Sequence, residues 1–546
     1  MRRDRWAAVV LTAVGVVLLA ACAALGAPPG ERVFYVSAAG DDTRRGTSPD
    51  EAWRTLDRAS AAVLLPGERL LLEGGSRFTG RLLIDAADAG DPDSPLVIGS
   101  YGQGRAVIEG HADSAVAVVD TAGVEIADLV VVGPGTVQPG SAGIRFFSEL
   151  AEDGRLGHAV VERVEASGFV HGIEVGSSRA GTGFRDVRIA DSVVHGNRDA
   201  GLAVYGPEFD AADPRFAHEA VTVSGVTAHD NAGDAANLTR NTGSGIALGS
   251  VRGGTVTRSV AHDNGGSGGA GEGPVGIWTY DSTGVVIEHS LSYRNRTAKL
   301  ADGGGFGLDQ NTADSVLQYN LSYDNHGPGY LVYTGRDNDA HTGSTVRFNV
   351  SSGDARRWSV YGGITVLGRV DDVRIYQNTV VMAPQASDPS SALRLGPGIT
   401  AVEARNNLLV SDAAGPLVLA ESGFDRGAVA LDGNAYVADG VDWSLIWGPQ
   451  EYSSLGEWSA GTGQEPGGSG LDTDPLLPGP LVGLEATVPG DAAALAGFAP
   501  GADSPLRGAG LDLTDLLAPG TALSDLAGAP VRVGAPDIGA LQAQPG

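Results

Sequence analysis

The chain has 546 residues, of which 82 are Gly, 66 acidic and 37 basic, giving a formal net charge of −29. No strict Gly-X-Y period accompanies the glycine, which excludes collagen, and a 42% hydrophobic content in regular clusters excludes a disordered chain. A surface this acidic repels nucleic acid, so DNA and RNA drop out as partners.

Arg2, Arg3 and Arg5 precede an apolar run from Ala7 to Ala21, the size of a signal-peptide core and short for a spanning helix. The run ends Leu19-Ala20-Ala21-Cys22, and Cys22 is the only cysteine, so no intrachain disulfide can form. This ending resembles a bacterial lipoprotein lipobox. The resemblance implies that residues 1–22 are a signal peptide and that Cys22 becomes a lipidated N-terminus. The mature chain is then expected outside the cytoplasmic membrane, held by lipid or secreted, with residues 23–32 as a tether.

Residues 33–106 read as an N-terminal cap and the first turns. Phe34-Tyr35-Val36-Ser37 is a strand signal. Ser48 and Glu51 match a capping box, with Pro49 at the first helical position. Trp53, Leu56, Ala59 and Val63 recur at helical spacing, which predicts an amphipathic helix to about Leu65 covering the open end of a strand stack.

From residue 107 to 440 the chain repeats itself. The unit is Gly, apolar, any, apolar, as in Gly172-Ile173-Glu174-Val175, Gly276-Ile277-Trp278-Thr279 and Gly305-Phe306-Gly307-Leu308. Two further short strands follow in most units, such as Val285-Val286-Ile287-Glu288 and Ser290-Leu291-Ser292-Tyr293. The steps from 276 to 305 and from 305 to 329 are 29 and 24 residues, too short for a propeller blade. Three short strands per turn predict an all-β parallel β-helix whose turns must stack to bury their apolar faces. Asn197, Asn231, Asn264, Asn295 and Asn325 recur after the third strand, where Asn tolerates left-handed backbone and stacks in hydrogen-bonded ladders. Residues 441–546, rich in Gly, Pro and Ala with Trp443, Trp447 and Trp458, are expected to fold back as a C-terminal cap.

The opening from Phe34 to Leu56, the repeats, and the closing Pro536-Asp537-Ile538-Gly539-Ala540 resemble secreted bacterial right-handed parallel β-helix proteins of the pectate lyase superfamily. That resemblance implies polysaccharide lyases, glycoside hydrolases and sugar epimerases, and also binders without catalysis; fold alone does not choose among them. The run from Ala301 to Asp309, followed by Tyr323-Asp324-Asn325-His326, is similar to the active segment of family-nine polysaccharide lyases. In that family an Asp-Gly-Phe run carries a lysine base, and paired aspartates hold calcium. Asp302 matches the first acid, Gly307 stands at the lysine's place, and His326 stands near one paired aspartate.

A strand alternates sides, so the apolar second and fourth residues of each unit point inward and the third and fifth outward. This puts Tyr280, Asp309 and Tyr333 in one outward row, with Trp278 beside it and Tyr205 further along. Sugar rings stack on such aromatics, so these are the expected glycan contacts, and Pro207–Asn241 is expected to wall the groove as an insertion. Asp281 and Asp309 are about one coil and a sideways step apart, roughly 5–8 Å, a span that fits both retaining and inverting glycosidases. Asp302 enters the same strand from the preceding loop, and paired acids push their pKa values apart as acid–base work requires.

Lys299 is the only lysine and lies just before Asp302, which makes it a candidate lyase base, with Arg294 or Arg296 neutralising a uronate carboxylate. His326 is an alternative proton carrier. Asp302, Asp309 and Asp324 are the candidate Ca²⁺ ligands, although no fixed-spacing calcium loop appears. The expectation is a monomeric, extracytoplasmic carbohydrate-active protein binding a polysaccharide along the first strand of each coil. Hydrolysis, β-elimination and binding without catalysis all stay open.

Overall fold

The computed structural model describes residues 32–543, apart from 89, 112, 136–139, 300, 336–340, 385–388, 414, 423–425 and 518–520. Cys22 and the signal segment lie outside the described residues. Among those described, no helix is long and apolar enough to cross a membrane.

The chain coils through three sheets of 14, 14 and 13 strands, with successive strands in each sheet coming from successive coils. The first sheet carries the Gly repeats, as Ser244–Gly249, Val275–Tyr280, Gly304–Leu308 and Tyr330–Thr334. The second holds strands such as Thr283–Glu288, and the third strands such as Leu291–Tyr293. The pairing is parallel, as with Ile277 opposite Phe306 and Leu291 opposite Leu321, except for a final antiparallel hairpin of Leu445–Trp447 with Gln450–Tyr452. This is a parallel β-helix, as the repeat spacing predicts. Its axis is filled by inward residues of all three sheets, among them Ile277, Ile287, Phe306, Leu317 and Val332, none with measurable exposure.

Polar ladders hold the corners. Asn197, Asn231, Asn264 and Asn295 each donate a side-chain N–H to the side-chain oxygen of the next Asn, at 2.8–3.0 Å, ending on Asn325. Asn325 in turn donates to Asp354 at 2.8 Å. A second ladder, not singled out from the sequence, runs Asn320, Asn349, Asn378, Asn407, Asn434 and ends on Glu465. Each amide also donates to a backbone carbonyl, as Asn378 does to Val346 at 2.9 Å. A buried amide with every donor satisfied in this way fixes the register of the next coil.

The N-terminal end departs from expectation, and the C-terminal end does so only beyond its closing tryptophans. The N-terminal helix is split into a single turn at Pro49–Glu51 and a short α-helix at Leu56–Ser60. Ser48 makes no side-chain cap; Thr55 caps instead, accepting from the Arg58 amide at 3.1 Å. The chain breaks between the pieces because Trp53 leaves the helical path to bridge Val36, extending the strand stack, and Val63 stays exposed. At the other end, Trp458 of the helix Leu455–Thr462 packs against Trp447 and Tyr436 and closes the coil. The remaining C-terminal chain runs back over the outside of the third sheet. Ala486 and Leu481 accept hydrogen bonds from Tyr323 and Ser352, and Asp537 and Gly539 accept from Gln377.

Replacing Asn378 by Ala removes five side-chain hydrogen bonds, three of them with its neighbours in the second ladder. The expected cost is about 1–3 kcal/mol per buried group left without a partner, read as a lower urea midpoint with the β-sheet circular dichroism retained.

Candidate active site

The third and fifth residues of each repeat face outward from the first sheet and floor a cavity of about 720 Å³. The register lines up Glu174, Ala203, Ala247, Trp278, Gly307 and Leu331 in one row. The parallel row carries Tyr205, Tyr280, Asp309, Tyr333 and Leu367, all lining the cavity. Strand alternation thus places Trp278, Tyr280, Asp309 and Tyr333 where the sequence period puts them. Trp278 and Tyr280 stack at 4.8 Å between ring centres, and the Trp278 indole donates to Ser244 at 3.1 Å. Gly307 leaves the floor open, since a Cβ there would approach only Trp278 and Val275.

Three acids from the sequence reading meet at one end. Asp302 sits in left-handed backbone at φ 51°, followed by Gly303 at φ 79°, a tight turn that aims its carboxyl into the cavity. One oxygen accepts from the Tyr361 hydroxyl at 3.0 Å and the other from the Gly273 amide at 3.1 Å. Burial raises its pKa to about 6, with those two hydrogen bonds opposing. Asp309 is 9% exposed and accepts from the Gln310 amide at 2.7 Å. Burial, and then the charge of Asp302, push its pKa well above the usual carboxylate range. Asp281 is raised to about 6 by burial and accepts from Asn311 at 2.7 Å. Two acids of unequal proton affinity on one sugar-sized cavity are the arrangement general acid–base chemistry uses.

The other end holds residues the motif search passed over. His171 lies between Glu174, at 2.8 Å, and Asp199, at 3.3 Å. These partners outweigh burial and lift its pKa to about 9. Tyr205 donates to Glu174 at 2.8 Å, Arg145 pairs with Glu174 at 2.8 Å, and Arg240 pairs with Asp199. Outward alternation marked Glu174; nothing local marked Asp199, Arg240 or Tyr361, which reach the cavity from loops. The segment 207–241 is not one insertion, because it contains the second- and third-sheet strands His218–Ser224 and Thr227–His229. Arg240 and Asn241 alone reach the cavity from its last loop.

Five expected residues lie away from the lining. Lys299 is exposed at the corner after the third sheet, where Trp358 holds its backbone carbonyl at 3.2 Å. His326 accepts from the Thr297 amide at 3.3 Å and faces Arg296 at 3.2 Å, and burial with the nearby arginines lowers its pKa. Arg296 is thereby engaged at the corner. Arg294 makes a two-pronged pair with Asp263 at 3.0 and 2.7 Å over the Tyr293 ring. Asp324 pairs with Arg356. All five lie in turns between third-sheet and first-sheet strands; within the turn that holds Lys299 it is Ala301 and Asp302, next to the first-sheet strand Gly304–Leu308, that reach the cavity. Asp324 therefore does not join Asp302 and Asp309, and no group of three or more metal-ligating side chains occurs among the described residues. The expected calcium ligands are therefore not brought together among the described residues.

Residues 155–380 match a family model described as a right handed beta helix region. The fold is a right-handed parallel β-helix. A stretch of 81 residues is 41% identical to a lacto-N-biosidase of Bifidobacterium longum subsp. longum, covering 14% of this chain and 5% of that protein. Among solved structures, a GH136 lacto-N-biosidase from Eubacterium ramulus aligns over 71% of this chain and 65% of its own, at 17% identity and TM-score 0.47. Pectate lyase Pel9A aligns over 94% and 97%, at 17% identity and TM-score 0.42. The chain thus spans 5% of the Bifidobacterium lacto-N-biosidase and about two thirds of the Eubacterium one.

The raised pKa values imply a stability cost. The unfolded chain loses these protons near pH 4, whereas the folded β-helix keeps those of Asp302 and Asp281 to about 6 and that of Asp354 to about 7. Between those values the folded state binds more protons, so stability falls as pH rises. Asp309→Asn is expected to melt above the wild type at pH 8 and to lose that advantage at pH 4, as read by calorimetry.

Proposed function

We propose that the protein is a glycoside hydrolase that cleaves a neutral oligosaccharide held along the outer face of the first sheet. Asp302 and Asp309 carry this reading: two carboxyls with different proton affinities open onto one aromatic-lined cavity. Asp309 keeps its proton and donates it to the leaving-group oxygen. Asp302, held by Tyr361 and Gly273, is the carboxylate that attacks the sugar or activates water. Trp278, Tyr280 and Tyr333 stack the rings, and Asp281 stands beside Asp309 as a further proton-holding group. Hydrolysis is favoured over β-elimination because Gly307 stands at the place of the family-nine lysine, and Lys299 and both arginines are away from the cavity. The short but strong similarity to a lacto-N-biosidase supports the same choice and makes glycans containing lacto-N-biose the first substrates to try. A binder without catalysis would have no use for two buried, proton-retaining acids in its cavity.

Asp302→Asn and Asp309→Asn are each expected to lower kcat by about 10²–10⁴-fold with KM little changed, as loss of a general acid or base does. Wild-type activity should rise as pH passes about 6, where Asp302 ionises, and fall at higher pH as Asp309 loses its proton. Reducing ends without unsaturated product, across a glycan panel, identify hydrolysis; absorbance from unsaturated uronate would overturn it.

We also propose that the protein works outside the cytoplasmic membrane, anchored through Cys22, on the strength of the basic start, apolar run and lipobox. Cys22→Ser should abolish fatty-acid labelling in a bacterial host and shift the protein from membrane to soluble fraction; unchanged labelling would sink the anchor.

A further inference from the structure

The cavity is chemically two-ended. At the end remote from Asp302 and Asp309, the groove meets a wall. Above Gly176 the Phe147 and Tyr205 rings fill the space, and Arg145 lies 4.0 Å over the Phe147 ring while pairing with Glu174. Beside this wall Glu174, His171 and Asp199 are buried at 1, 8 and 6% exposure. Three cations, Arg145, His171 and Arg240, face two carboxylates, Glu174 and Asp199, in one connected network. Burying Glu174, Asp199 and His171 costs several kcal/mol per ion unless each is well partnered, and the more exposed Arg145 and Arg240 complete the partnering. Nothing in the coil's stacking demands them, since the neighbouring coils carry Ala203 and Ala247 in the same row as Glu174.

Those two alanines line the cavity between the network and the Trp278–Tyr280 pair, whose Tyr280 ring lies over Gly249, and they leave a recess there. Its floor lies two to three strand steps from Gly307, about 10–14 Å at roughly 4.8 Å per step. A ring in this recess is therefore not the ring being cleaved. It would have an aromatic pair on one side and Asp199 with Arg240 on the other.

We infer that Asp199 and Arg240, oriented by the buried His171–Glu174 pair, form a recognition subsite for a neutral sugar ring seated on Ala203 and Ala247. Side by side, a guanidinium donor and a carboxylate acceptor match vicinal hydroxyls, each of which donates and accepts. An anionic sugar would meet Asp199 here and Asp281 and Glu272 further along the same cavity. Arg240 is the ligand-facing member, with a side chain 58% exposed. Glu174 and His171 are positioning residues: the imidazole spends both nitrogens on carboxylates and has none left for a sugar.

This inference rests on the hydrolase reading for its substrate but is tested separately from it. The probes are a neutral tetrasaccharide ending in lacto-N-biose and its sialylated counterpart. In an otherwise wild-type chain, Arg240→Ala and Arg240→Gln should raise KM for the neutral probe about 10–100-fold while kcat stays within about threefold, the pattern of lost ground-state binding. In an Asp309→Asn background, calorimetric titration should show the same loss of affinity. The melting temperature is expected to fall, because the buried Asp199 loses one of its two partners, and the retained kcat shows that the fold is intact. Unchanged KM and affinity, a fall in kcat alone, or preference for the sialylated probe would each overturn the subsite. If the wild type hydrolyses neither probe the catalytic reading fails, and the titration alone decides the subsite: weakened binding in the Arg240 variants supports it, and equal or absent binding overturns it.

Discussion

Everything on this molecule's surface depends on one constraint: each coil must lie on the last in register, about 4.8 Å away. Apolar residues alone fix that poorly, because Val, Ile and Leu along the axis slide past one another at little cost. The asparagine ladders supply the missing specificity. A buried amide that donates both to the next Asn and to a fixed backbone carbonyl has one satisfying position, and a slipped coil would leave several such groups unpaired. The ladders end on acids, Asp354 and Glu465, which accept where no further Asn follows.

Once register is fixed, a site follows from small choices at outward positions. The same two rows run the length of the first sheet, and their occupants change from coil to coil: Glu174, then two alanines, then Trp278, then Gly307 in one, with Tyr280, Asp309 and Tyr333 in the other. Large side chains make walls and small ones make recesses, so a regular scaffold acquires an irregular cavity without any change of backbone. Loops then complete it, with Tyr361 and Arg240 delivered from connections that leave the sheets.

The cavity is costly to keep. Asp302, Asp309 and Asp281 are each held at proton affinities an exposed carboxyl would not have, and the opposite end buries Glu174, Asp199 and His171 within an ion network. Against this cost the coil sets an unbroken apolar axis and a C-terminal segment packed on the third sheet. The neutral histidines His218 and His341 belong to the scaffold: burial lowers both to about 4, and each faces the carbonyl of an aromatic that lines the cavity, Tyr205 and Tyr333.

The sequence by itself determined the β-helix, the first asparagine ladder and the outward row of Trp278, Tyr280, Asp309 and Tyr333. All three follow from periodicity, because a strand's alternation and a coil's repeat are local properties carried by neighbouring residues. It did not determine which loop residues join that row. Lys299, Arg294, Arg296, His326 and Asp324 are near Asp302 and Asp309 along the chain, yet they stay out of the cavity lining. Asp199, Arg240 and Tyr361 are far along the chain, yet they reach the same cavity. Which corner residues reach the cavity depends on the packing of three sheets together, and only the tertiary structure decides it.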